Sequence, residues 1–249
     1  MTNLTFAEML TLIEDRSAAL RAAVGQAALT AQVPGCPQWS VADLVTHLGE
    51  VQSFWAAAVA AGPADRPPGE DQIDRSPGAD LLASSAAATA ALLAALSAAG
   101  PGRPCWTWWR ESGAPMDSSA VARHQVQEAG VHAFDAQEAA GRPQSLPAAV
   151  AGDGIGEFLT VVLASMGSWP YRPGTVALTA TGGPDWLVSL CGEGARAREL
   201  AGAADPDVRV QGTASDLVLA LYGRHLSGDL AIDGDQQLAS QLLHWTDSE

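Results

Sequence analysis

The chain has 249 residues, room for one large domain or two ordinary ones, and 47% of them are apolar against 16% charged, which excludes global disorder and fibrous rods. All 13 basic residues are arginine, and against 28 acidic residues they leave a net charge of −15. A surface of that sign repels phosphate backbones and anionic headgroups, so neither nucleic acid nor a membrane is an expected partner, and without lysine there is no Schiff-base amine and no P-loop.

Thr5 and Glu8 form a capping box that opens a first helix, with Leu10, Ile13, Leu20 and Val24 at helical spacing before Gly25. A second box, Ser40 with Asp43, follows a Cys36-Pro37-Gln38-Trp39 turn. The helix it starts carries Leu44, His47, Leu48, Val51, Phe54, Trp55 and Val59 up to Gly62. A long Pro/Gly/Asp-rich loop leads to Ser76-Pro77, an N-cap and first-turn proline for an uncharged, Ala-rich helix over 81–99, expected to pack tightly inside a soluble bundle. An aromatic loop, Cys105-Trp106-Thr107-Trp108-Trp109-Arg110, precedes a fourth helix capped by Asp117 or Ser118 and ending near Ala140. The pattern predicts an up-and-down four-helix bundle over 1–145. Beyond the 142–149 linker the composition shifts to a smaller α+β domain over 146–249. It should hold a helix over 153–166, a hairpin of 175–181 with 186–190 about a Gly182-Gly183-Pro184 turn, a strand at 208–210, a helix from the Thr213–Asp216 box, a strand at 230–232 and a helix over 236–245. Cys36, Cys105 and Cys191 are odd in number and nowhere spaced as Cys-x-x-Cys, and no signal peptide is recognisable, so a reducing, cytoplasmic location is expected.

The fourth helix holds His124, Glu128 and His132 at intervals of four, all projecting from one side. Burying a carboxylate and imidazoles in a bundle is costly unless they pair or bind metal, and His47 lies on the apolar stripe of another helix. His47, Glu128 and His132 are therefore candidate ligands of one divalent ion with open positions, Zn²⁺ being favoured and Ni²⁺, Fe²⁺ or Mn²⁺ also suited. The plain alternative is a surface ion pair between Glu128 and His132. Neither the Glu-x-x-His pairs of di-iron bundles nor a His-Glu-x-x-His motif is present.

Three strings carry a resemblance: Cys36-Pro37-x-Trp39-Ser40-Val41-x-Asp43-Leu44-Val45-x-His47-Leu48, then Trp106-Thr107-Trp108-Trp109, then Arg123-x4-Glu128-x2-Val131-His132-x2-Asp135-Ala136. With Gly212-Thr213-Ala214-Ser215-Asp216-Leu217, Leu221-Tyr222-Gly223-Arg224 and Leu230-x-Ile232-x-Gly234-Asp235, they resemble the mycothiol-dependent maleylpyruvate isomerase family of DinB/YfiT-like metalloenzymes, whose second domain is similar to sterol-carrier folds. The resemblance implies His47, Glu128 and His132 as metal ligands and mycothiol as thiol cosubstrate. It also implies an isomerisation in which a metal-bound thiolate adds to an activated cis double bond, the single bond rotates, and elimination gives the trans isomer. The same site suits a thiol S-transferase acting on another electrophile, and a non-catalytic metal- or ligand-binding protein is the alternative outside enzymes. An arginine clamp for an anionic unsaturated acid maps to Arg224, which could equally be a helix-end arginine. Family members often have His where Gln127 stands. His124 could then be a fourth ligand, an acid/base near the thiol, or a solvated residue. Asp135 is either a partner orienting an imidazole or an exposed charge. Trp108 belongs to a cluster expected to pack at the metal end, where one Trp could line the substrate pocket, and Cys36 reads as structural. His225 reads as solvated or capping. A lysine-free composition resembles actinobacterial usage. Oligomeric state is not readable from the sequence.

Overall fold

In the computed structural model, which describes residues 4–73, 80–181, 183–202, 204–224 and 230–246, each helix of the first half begins at a side-chain cap. Thr5 and Glu8 close a reciprocal capping box on α1 (Phe6–Val24), and Ser40 and Asp43 close another on α2 (Val41–Ala61). Asp80 caps α3 (Leu81–Ala99) through the backbone amides of Leu82 and Ala83, whereas the cap expected at Ser76-Pro77 lies outside the described residues. Asp117 caps α4 (Ser118–Ala139) through Ala120 N–H.

The chain divides into two compact units, and these helices form the one comprising Leu4–Trp108 and Pro115–Gln144. Within it α2 packs most extensively on α3 and α1 on α4. Between α1 and α2 a two-stranded ribbon, β1 (Gln32–Val33) with β2 (Cys36–Ser40), stands where a turn was expected. Val33 and Cys36 are fully buried against Leu20, Leu44, Leu48 and Ala136, so the ribbon fixes the start of α2 to the bundle core. Its two-residue partner strand is too short to show period-2 alternation, which is why the sequence pattern hides it.

α3 departs from the expected tight packing. It buries one stripe, Ser85, Ala88, Thr89, Leu92 and Leu96, and leaves most of its alanines toward solvent. α3 and the segment Ala148–Ser165 are long and apolar enough to cross a membrane by length and composition, the second with 56% of its residues buried. Polar contacts reinforce this stripe. Gln52 of α2 donates to Ser17 Oγ of α1 at 2.9 Å and accepts from Thr89 Oγ1 at 2.8 Å, while Arg21 donates to the same Thr89 oxygen at 3.0 Å.

The second unit comprises Trp109–Ala114 and the chain from Ser145 onward among its described residues. Its sheet has five strands in the order β5-β4-β3-β6-β7: β3 (Gly174–Thr181), β4 (Asp185–Cys191), β5 (Gly194–Glu199), β6 (Val208–Thr213) and β7 (Ala231–Gly234). β3 and β4 pair as the expected antiparallel hairpin, with Gly182 of the connecting turn outside the described residues. β3 also runs parallel to β6. β5, Gly-Ala-Arg-Ala-Arg-Glu, was not expected, because alternating small and charged residues carry little strand propensity. α5 (Ala148–Glu157) starts five residues before the expected helix and continues through a π turn at Phe158–Val162 and a 3₁₀ turn at Leu163–Ser165. α6 (Ala214–Leu221) is capped by Thr213, which accepts from Asp216 N–H. α7 (Gln236–Thr246) begins where Leu238 N–H donates to Asp235 Oδ1.

The Ser17–Gln52–Thr89 network yields the first test. Gln52→Leu keeps volume but strands the Ser17 hydroxyl in the core, so it should cost about 1–3 kcal/mol in urea unfolding. Adding Ser17→Ala, which removes the stranded hydroxyl while Thr89 keeps Ser85 O and Arg21 as partners, should recover most of that loss; equal destabilisation of the single and double variants would contradict the network's role.

Candidate metal centre

α4 has polar residues where a core helix has none. His124, Gln125, Gln127, His132 and Asp135 are all buried, along with Val121, Val126 and Phe134. Buried polar groups need partners; His132 and Asp135 find them at the end of the bundle where the ribbon meets α2, whereas the buried side-chain amide of Gln125 has no hydrogen-bond partner among the described residues.

Starting α2 at Ser40 puts His47 two turns in, facing α4. His47 Nε2 lies 3.1 Å from Glu128 Oε1, and His132 Nε2 lies 3.3 Å from the same oxygen. One ligand atom from each of His47, Glu128 and His132 falls within 4.8 Å of the others. Trp39, at the end of the ribbon, packs on His47 with ring centroids 4.5 Å apart and on His132 at 5.9 Å, and the two imidazoles meet edge to face at 5.0 Å.

Asp135 is fully buried and is not an exposed charge; its Oδ2 is 2.9 Å from His132 Nδ1. That contact makes Nδ1 the donor and turns Nε2 toward Glu128. Cys36 Sγ approaches the same Asp135 oxygen at 3.9 Å, a contact of a structural thiol.

Two carboxylates thus bracket one imidazole. Burial alone would lower the His132 pKa, but the hydrogen bonds with Asp135 and Glu128 raise it to about 9. For Glu128, burial pushes upward, and the hydrogen bonds of His132 and His47 outweigh it, holding the carboxyl well below its ordinary value. Both shifts favour an imidazolium–carboxylate pair between His132 and Glu128, whose Nε2 and Oε1 lie 3.3 Å apart. Two imidazole nitrogens, one ionised carboxylate oxygen and a carboxylate behind one imidazole make a donor set that fits a Zn²⁺-type ion with room for further ligands.

A cavity of about 390 Å³ opens beside these atoms, wholly within the helical unit. α2 extends into it: Glu50, Val51 and Phe54 follow His47 at +3, +4 and +7, with Trp55 next. Of these, Val51, Phe54 and Trp55 read as plain core in the sequence; their shared helical face with His47 was the available signal. Trp108 and His124 line the other side. His124 is 8% exposed, which overturns the solvated reading. Its ring lies edge-on to Trp55 at 5.9 Å and Trp108 at 5.7 Å, and it is not part of the three-ligand cluster. Trp108 is 42% exposed, whereas Trp109 is fully buried and belongs to the second unit. Arg224 follows α6 in that unit. Its backbone N–H donates to Leu219 O at 2.8 Å and its guanidinium to the Tyr222 carbonyl. His225 lies outside the described residues.

No curated protein matches the chain in sequence. Among solved structures it is similar to the crystal structure of the mycothiol-dependent maleylpyruvate isomerase, with a TM-score of 0.62 and 14% identity over 93% of this chain and 94% of that one. A histidine-to-alanine mutant of that isomerase matches with the same figures. At that identity the likeness speaks for the fold. Residues 10–137 match the mycothiol maleylpyruvate isomerase N-terminal domain, and residues 149–241 match the MDMPI C-terminal domain. Since the first match alone spans more than half of the 249 residues, the chain belongs to the mycothiol maleylpyruvate isomerase family.

Proposed function

We propose that the protein is a metal- and mycothiol-dependent enzyme of the maleylpyruvate isomerase type. The observation that carries this reading is the convergence of His47, Glu128 and His132 within 4.8 Å beside a cavity, with Asp135 holding His132 from behind. A divalent ion held by those three side chains supplies the acidity that deprotonates a thiol near neutral pH, a role no protein cysteine fills here.

The chain's own residues supply the rest. Asp135 keeps His132 in one tautomer and orientation. Glu128 offsets part of the ion's charge, and Trp39 walls both imidazoles on the ribbon side. The cavity orients the electrophile beside the thiol and shields it from water. In an isomerisation the sulfur adds to one alkene carbon and the resulting single bond rotates. Expulsion of the thiolate then restores the double bond in trans geometry, so the thiol is returned.

His47→Ala or His132→Ala should remove stoichiometric zinc and reduce thiol-dependent turnover by more than about 100-fold, beyond the 10- to 100-fold typical of losing an outer partner such as Asp135. Circular dichroism should stay unchanged. Retained activity in either variant after chelation would contradict the proposal.

The pH dependence has a definite sign. Zinc must displace the proton that His132 holds up to about pH 9, so the zinc Kd, measured by chelator competition, should tighten about tenfold per pH unit between pH 7 and 9 and then level off. In the metal-free protein the raised His132 pKa contributes stability that is complete below about pH 6.5 and is lost as pH rises through about 9. Melting temperature should fall across that window, and His132→Gln should flatten the fall.

A further inference from the structure

Resting on the reading that a thiol adds to an electrophile at this centre, we propose that His124 is a catalytic residue: its imidazole N–H donates to the carbonyl oxygen of a conjugated carbonyl substrate and stabilises the negative charge that develops there. The placement carries the inference. His124 precedes Glu128 by about one turn of α4, roughly 5.4 Å along the helix axis, and both side chains line the cavity. It stands outside the three-residue ligand cluster, one turn further along the wall.

Aromatic neighbours hold the ring in place. Trp55 lies 5.9 Å away at an interplanar angle of 73° and Trp108 5.7 Å away at 75°, while Trp106 packs on Trp55 at 6.1 Å and on Phe54 at 5.7 Å. All of these residues belong to the helical unit. A phenyl ring would fill the same cage without the desolvation that an imidazole incurs, so a buried histidine here points to a polar task at the cavity.

The chemistry calls for such a donor. A bond forms from the thiolate sulfur to the alkene carbon β to the carbonyl, and the alkene pair moves to the carbonyl oxygen as an enolate. The former double bond rotates as a single bond, the pair returns, and the carbon–sulfur bond breaks to release the thiolate. No proton enters or leaves carbon, so the step needs a hydrogen bond to oxygen that is in place before the charge appears, and a neutral imidazole supplies one N–H. The β carbon and the oxygen are three bonds apart, which suits a nucleophile at the ligand cluster and a donor one turn away.

Infrared spectra and kinetics test the assignment separately. The probe is 4-oxopentanoate labelled with ¹³C at the ketone, which has the oxo group of such a substrate without a reactive alkene, added without thiol to metal-free and zinc-loaded protein. Its ketone stretch should lie at lower wavenumber in the wild type than in His124→Phe, which keeps a ring in the cage but has no N–H. His124→Gln or His124→Asn, which keep a donor, should restore part of the shift. With mycothiol and maleylpyruvate, His124→Phe should lower kcat by about 100-fold or more at unchanged zinc content and unchanged KM for the thiol, and the better amide variant should recover about tenfold of that loss. An equal ketone stretch in wild type and His124→Phe, no binding of the oxo acid to the wild type, or a kcat untouched by His124→Phe overturns the assignment. Absence of thiol-dependent turnover in the wild type with the infrared shift intact would instead remove the thiol reading on which the proposal rests and leave His124 as a carbonyl-binding residue.

Discussion

The site depends on one carboxylate oxygen serving two imidazoles inside a helical core. Glu128 Oε1 is within 3.3 Å of both His47 Nε2 and His132 Nε2, at the heart of the most polar stretch of a buried helix. An ionised carboxylate and two rings would be expensive there if unpaired; with a proton or a cation between them the cluster becomes mutually compensating. Other features follow from that need: the ribbon that sets the start of α2, Trp39 against both rings, and Asp135 buried behind His132. The isomerase family to which the chain belongs is thus represented here by a donor set whose parts hold one another in place.

The helical half was legible in the sequence because its signals are local. Both capping boxes and the Asp117 cap lie within three or four residues of the groups they bind, and α1, α2 and α4 end within a residue or two of the expected stops. The residues that converge, His47, Glu128 and His132, were legible for a related reason: a spacing of four puts Glu128 and His132 on one helix face, and His47 sat on an apolar stripe. What stayed hidden depends on distant partners. β1 and β2 are too short to show a period, β5 is charged, and the π and 3₁₀ turns after α5 look like ordinary helix. The burial of His124 was hidden too, since it comes from Trp55 and Trp108 on other segments.

Charge links the whole chain to the cavity. A net charge of −15 disfavours anionic partners in general, and Glu50 adds a further carboxylate at the cavity. The candidate ligands His47, Glu128 and His132 sit on α2 and α4, and other side chains of the same helices line the cavity beside them together with Trp108.

The most direct test of the central claim is X-ray absorption spectroscopy on zinc-loaded protein, read together with anomalous diffraction. Two imidazole nitrogens and one carboxylate oxygen should appear at about 2.0–2.2 Å, with a sulfur at about 2.3 Å only after thiol is added. The anomalous peak should fall between His47, Glu128 and His132. A peak elsewhere, or a protein sulfur on zinc before any thiol is present, would contradict the account.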